Sequence, residues 1–149
     1  MKFFLAAASI IALDQITKWL VVLNFHWGEK LTIFNPWLHF TYVTNTGAAF
    51  GVLPGRNWVF VVFSFIVVAG IVFYNWVYKP SFSMAVTTAL IAGGAAGNLI
   101  DRLFRSEVVD FIDLGWWPVF NIADSAIFCG AVSLLIFTFI QNKNEVSSE

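Results

Sequence analysis

Two aspartates in apolar surroundings offer the most specific chemistry in this chain. Asp110 sits in Val108-Val109-Asp110-Phe111, and Asp124 in Phe120-Asn121-Ile122-Ala123-Asp124. The stretch between them, Asp113 to Pro118, is short enough for both carboxylates to reach one level of the fold. Two carboxylates that close do not both ionise easily, so they share a proton. One can then act as general base on a water while the other donates to a substrate carbonyl. Asn121 precedes Asp124 by three residues, which puts it on the same helical face and within reach of a hydrogen bond. Small Ala123 and Ser125 leave room nearby. The competing reading is two unrelated aspartates, one capping a helix and the other solvated.

A second set lies upstream. Gly94, Asn98 and Arg102 recur every four residues and form one helical stripe. An amide donor and a guanidinium fork on one face suit a ligand carbonyl or a phosphate-like oxygen. Gly93 and Gly97 form a small-xxx-small pattern beside it, which reads as close helix packing. Asp101 points elsewhere on the helix and is expected to pair with Arg105 or Lys30. Asp14 and Lys18, four apart, are expected to pair with each other in a structural role. The single cysteine, Cys129, has apolar neighbours and no nearby His, so it reads as a small packing residue rather than a nucleophile. His26 and His39 are isolated loop residues. No metal-ligand spacing, Ser-His-Asp set or phosphate-binding Gly loop is present in the sequence, and no metal or cofactor is expected.

The elements that must hold these residues follow from composition. The chain has 149 residues, of which 59% are apolar and 11% charged, with 17 Phe and 7 Trp. Ordinary soluble domains carry about 45–50% apolar and about 25% charged residues. Mean hydropathy is +0.79. So few charges cover a water-facing surface poorly, and an integral membrane protein is expected. A net charge of −1 leaves no basic stripe for nucleic acid. Four segments are apolar enough to span as helices: about 3–25, 58–78, 84–104 and 119–140. Their lack of period-two alternation argues against a barrel. Met1-Lys2 and the following apolar run imitate a signal peptide, but apolar character resumes after Lys18, so an uncleaved first span is expected.

The segments 26–57 and 105–118 share one side, while both termini and the short Lys79–Ser83 turn share the other. Thr32-Ile33-Phe34 and His39-Phe40-Thr41-Tyr42-Val43 are β-like. Trp27, Trp37, Trp58, Trp116 and Trp117 gather on the long-segment side as interfacial anchors would. Lys and Arg are split between the sides. Lys2, Lys79 and Lys143 face Lys30, Arg56, Arg102 and Arg105, a count that leans weakly against cytoplasmic termini.

Five motifs in order then resemble the bacterial lipoprotein signal peptidases (signal peptidase II). They are Asp14-Gln15-Ile16-Thr17-Lys18, Asn45-Thr46-Gly47-Ala48-Ala49-Phe50, Gly97-Asn98-Leu99-Ile100-Asp101-Arg102, Val108-Val109-Asp110-Phe111 and Phe120-Asn121-Ile122-Ala123-Asp124-Ser125. Each is weak alone, and the ordered set is specific. The resemblance implies an all-α integral membrane protein of four transmembrane helices with a small β-structured extracytoplasmic loop. It implies an aspartic endopeptidase of the bacterial inner membrane, with both termini cytoplasmic and the active site toward the outer leaflet. Its substrate would be a diacylglyceryl-modified prolipoprotein, cut just before the lipidated cysteine. By the same resemblance Asp110 and Asp124 are the catalytic dyad. Asn45, Gly47, Asn98, Arg102 and Asn121 match positions that bind substrate or support the dyad, and Asp14 and Lys18 match a structural motif. Membrane lipid is the expected surrounding partner, and a monomer is expected. Two other classes fit the residues less well: a small proton-coupled transporter and a non-catalytic lipoprotein-assembly factor. A transporter would move ions without a peptide product, and an assembly factor would keep partner binding after loss of either aspartate.

Overall fold

The computed structural model describes residues 1–47 and 56–146, so Ala48, Ala49 and Phe50 of the second motif lie outside the described residues. In chain order the elements are α1 (Lys2–Asn24), β1 (Lys30–Phe34), β2 (Leu38–Asn45), α2 (Asn57–Tyr78), α3 (Phe82–Arg105), β3 (Val108–Asp113) and α4 (Ile122–Val146). All four helices are long and apolar enough to cross a bilayer. They turn their large side chains outward. Trp58, Phe63, Phe65, Phe73 and Trp76 of α2 are exposed, as are Phe128, Leu135 and Phe139 of α4. Apolar patches of that extent are not left in water, and a helix is one of the two structures that satisfy their backbone within lipid. The protein therefore spans the membrane four times. Cys129 shares the outward face of α4 and is exposed, which corrects the reading of it as a packing residue.

The bundle's interior is built on α3, which packs against α1, α2 and α4. Its composition explains this position. Ala85, Ala89, Ala92, Gly93, Gly94, Ala95 and Gly97 are all buried, and such small residues let neighbouring backbones approach closely. A Cβ on Gly93 would lie 3.0 Å from the Ala7 carbonyl of α1, and one on Gly94 would strike the Ala123 carbonyl of α4. Ser81 caps the helix start by accepting from the Met84 N–H. Ser106, with φ 64°, ends it in the left-handed conformation and turns the chain directly into β3.

The strands form an antiparallel sheet in the order β1-β2-β3 at the end of the bundle away from the termini. Its third strand comes from the second long segment rather than the first, and this strand was not legible in the sequence. Val108 to Phe111 is buried throughout, so it shows no alternation. Val109 and Phe111 pack with Val21 of α1 in a small core joined by Tyr42, Ile112 and Ile122. After β3 the chain doubles back, and the Phe120 carbonyl accepts from the Phe111 and Ile112 N–H groups. Val119 and Phe120 are apolar enough to read as a first helical turn, but Phe120 is held in this bridge and α4 begins at Ile122.

Candidate active site

The sheet and the helix starts converge on two carboxylates. Asp110 lies on β3 opposite Val43 of β2, and its side chain is only 3% exposed. Asp124 lies in the first turn of α4. Asn121, fully buried, stands between them as the N-cap of α4. Its Oδ1 accepts from the Asp124 N–H at 2.9 Å, and the Asp124 Oδ2 accepts in return from the Asn121 N–H at 3.4 Å. That is a reciprocal capping box with Asp in place of the usual Glu or Gln. The Asn121 Nδ2 then donates to Asp110 Oδ1 at 2.6 Å. A single side chain thus orients both aspartates.

Two further amides complete the set. Asn45, at the end of β2, donates from Nδ2 to Asp110 Oδ2 at 3.2 Å. Asn98, buried on α3, donates to Asp124 Oδ1 at 2.7 Å. Asn45 Oδ1 also accepts from the Gly47 N–H at 2.9 Å, which folds the chain after β2 into a tight turn. The Gly47 carbonyl accepts from Arg102 Nη2 at 3.2 Å, and the guanidinium lies 5.1 Å from the Phe60 ring centroid. Among the described residues, Arg102 Nε and Asn57 Oδ1 have no hydrogen-bond partner although both atoms are buried. Asn57, which donates to the Arg102 carbonyl, carries no motif signal in the sequence.

Burial pushes the Asp110 carboxyl up to about 7, with the charge of Asp124 adding to the rise. The Asn45 and Asn121 donors and the charge of Lys18 oppose it. A carboxyl at that point can hold or yield a proton near neutrality. Asp113, farther along β3, moves the other way: the hydrogen bond from Lys30 holds its carboxyl below the ordinary range.

Beneath the carboxylates lies a fully buried ion cluster. Lys18 Nζ is 2.9 Å from Asp14 Oδ2 and 2.9 Å from Asp101 Oδ2. Asp101 therefore pairs with Lys18, which corrects the expectation that it pairs with Arg105 or Lys30. The roll of α3 turns it toward α1, and Lys30 pairs instead with Asp113 at 2.7 Å. The cluster also holds backbone: Asp14 accepts from the Ala123 N–H at 2.9 Å, and Asp101 from the Val109 N–H at 3.2 Å. It so ties α1 to the start of α4 and α3 to β3. Gln15, to which the sequence assigned no role, donates to Asp14, Asp101 and the Gly97 carbonyl. Among the described residues, no group of three or more His, Cys, Asp or Glu side chains could hold a metal ion.

Four membrane-crossing helices with a buried and a half-buried aspartate, both amide-tethered, at one end define a polytopic membrane protein with a paired-carboxylate site. Comparison with known proteins makes this specific. The family model for signal peptidase (SPase) II matches residues 6–140. A lipoprotein signal peptidase of Syntrophomonas wolfei is 48% identical over 145 residues, covering 97% of each chain. One from Desulfitobacterium hafniense is 42% identical over 151 residues, covering 100% of both. A bacterial membrane enzyme solved by the in meso method superposes with a TM-score of 0.89 at 31% identity, covering 95% of this chain and 90% of that one. The chain belongs to the signal peptidase II family, and it is an aspartic-type signal peptidase of the bacterial inner membrane.

Proposed function

We propose that this enzyme removes the signal peptide from diacylglyceryl-modified prolipoproteins, cutting immediately before the lipidated cysteine, with Asp110 and Asp124 as the catalytic pair. The observation that carries this reading is the Asn121 side chain, which holds one carboxylate through its Nδ2 and the other through its Oδ1. Such a geometry suits two groups that must act on one water and one carbonyl. One carboxylate takes a proton from water as its oxygen bonds to the scissile carbonyl carbon. The other, protonated, hydrogen-bonds the carbonyl oxygen and stabilises the tetrahedral intermediate. Collapse breaks the C–N bond, and the first carboxyl returns its proton to the leaving amine.

Asn45, Gly47, Asn98 and Arg102 support the pair or line the substrate's path. The Arg102–Gly47 contact fixes Gly47, just past β2, against α3. Asp14 and Lys18 hold the frame. The sheet end of the bundle, with exposed Trp27, Trp37, Trp116 and Trp117, sits at the outer leaflet, and both termini are cytoplasmic. A lipid-anchored substrate then reaches the aspartates sideways from the bilayer, and one copy of the chain suffices. The test is a gel-shift assay of purified enzyme on a prolipoprotein with and without its diacylglyceryl group. Loss of the signal peptide from the lipidated form alone is expected. Equal cleavage of both forms, or of neither by a folded enzyme, would overturn the substrate assignment.

A further inference from the structure

Lys18 belongs to the buried cluster, yet its third contact leads into the aspartate pair. An ammonium has three N–H groups. Two meet Asp14 and Asp101, and the last donates to Asn98 Oδ1 at 2.9 Å. The same oxygen accepts from Asn121 Nδ2 at 3.2 Å. Both lone pairs of Asn98 Oδ1 therefore face donors, and Nδ2 is left facing Asp124 Oδ1 at 2.7 Å. Turning that amide over would set its N–H groups against the ammonium and the Asn121 amide, and its oxygen against a carboxylate. The direction of Asn98 is thus imposed by Lys18, a side chain with no exposed surface.

We infer that Lys18 is a positioning residue for the aspartate pair, locking Asn98 so that a donor stays on Asp124 and selecting Asp124 as the charged member. The inference rests on the catalytic reading of Asp110 and Asp124. A donated N–H and a nearby cation both favour a carboxylate over a carboxylic acid. Asp124 also receives the Asn121 N–H at the start of α4, where the helix dipole favours negative charge. Asp110 has two amide donors of its own, but it lies on a strand buried among Val108, Val109 and Phe111, with no helix start beneath it, and burial there outweighs them in favour of the neutral form. The charged groups around the pair are Asp14 and Lys18 from α1, and Asp101 and Arg102 from α3. Lys18 is the one joined to Asp124 by a single amide. In this arrangement Asp124 takes the proton from water and Asp110 donates to the carbonyl oxygen.

The experiment compares Lys18→Met, Asn98→Ala and the double variant with the wild type on the lipidated precursor, reading kcat, KM and the pH profile of kcat. Lys18→Met is expected to lower kcat on the order of tenfold with KM little changed, and to move the bell-shaped profile to higher pH. In the Asn98→Ala background most of that shift should disappear, because the relay is already cut. A Lys18→Met enzyme with the wild-type profile, or effects of the two variants that simply multiply, would overturn the inference. Because Lys18→Met leaves two buried carboxylates without their cation, its fold is at risk. Lys18→Met/Asp101→Asn keeps the cluster's net charge, and Asp101→Asn alone is its reference; the same profile shift is expected between these two, and none would be equally decisive. Failure of the catalytic reading looks different: there the wild type does not cleave, or the Asp110→Asn enzyme still does.

Discussion

Asp110 and Asp124 occupy places that a membrane protein fills with charge only at a cost, and each is tied down by two donors. Under the proposed mechanism, Asp110→Asn and Asp124→Asn each lower turnover on the order of a thousandfold or more. The same variants should still insert and bind. A purified variant with substantial cleavage would remove the pair from the mechanism. Asp110 also carries a stability signature. Its carboxyl rises from 3.8 to about 7 on folding, so over that range the native state binds this proton more firmly than the unfolded chain does. Stability from this group is therefore full at the acidic end and is lost as pH climbs from 3.8 to about 7. In detergent, the thermal midpoint of Asp110→Asn should lose that downward slope, and above neutrality it should exceed the wild type's. An unchanged slope would assign the pH dependence to another group.

At the scale of elements, the small residues of α3 decide where everything else stands. Gly97 leaves room for Asp14: a Cβ there would come within 2.6 Å of Asp14 Oδ2, the oxygen paired with Lys18. Gly94→Ala and Gly97→Ala should each destabilise by about 1–3 kcal/mol through overpacking, whereas Gly70→Ala on the open face of α2, with nothing within 4 Å, should not. Thermal unfolding of the three variants checks this, and a Gly97→Ala protein as stable as the wild type would show that α1 can retreat. These packings also explain what the sequence disclosed. The four spans are plain in its hydropathy, and the contact between Asn121 and Asp124 is readable because it is local. The partner of Asp101 is not readable, since it depends on the roll of α3 set by glycines against α1 and α4. Nor is β3, whose buried residues carry no strand period. Asn98 stands out on the stripe of α3 and Asn45 only through the family motif, but which carboxylate each serves is fixed only by the meeting of β2 with β3 and of α3 with α4.

For the molecule as a whole, the open issue is which way the bundle faces. Lys2 and Lys79 lie at the end of the termini, with Lys143 toward the end of α4. Lys30, Arg56 and Arg105 lie at the sheet end. Arg102 drops out of the charge count, because its guanidinium is used inside the fold on Gly47 and Phe60. The remaining Lys and Arg are then balanced, and the positive-inside tendency decides nothing. The proposed function supplies an expectation instead: a lipid-anchored cleavage site on the far side of the membrane would put the aspartates and the sheet there, and the α2–α3 turn in the cytoplasm. Cys129 sits on an exposed face of α4 and is the only cysteine, so a Cys129→Ala background gives a clean start for labelling. In that background, Trp116→Cys at the sheet end should react with a membrane-impermeant maleimide in intact spheroplasts. Lys79→Cys, at the α2–α3 turn, should react only after the membrane is broken. The reverse pattern would put the carboxylates at the cytoplasmic face, where a substrate held by an outer-leaflet lipid could not reach them, and the proposed reaction would fall with the orientation.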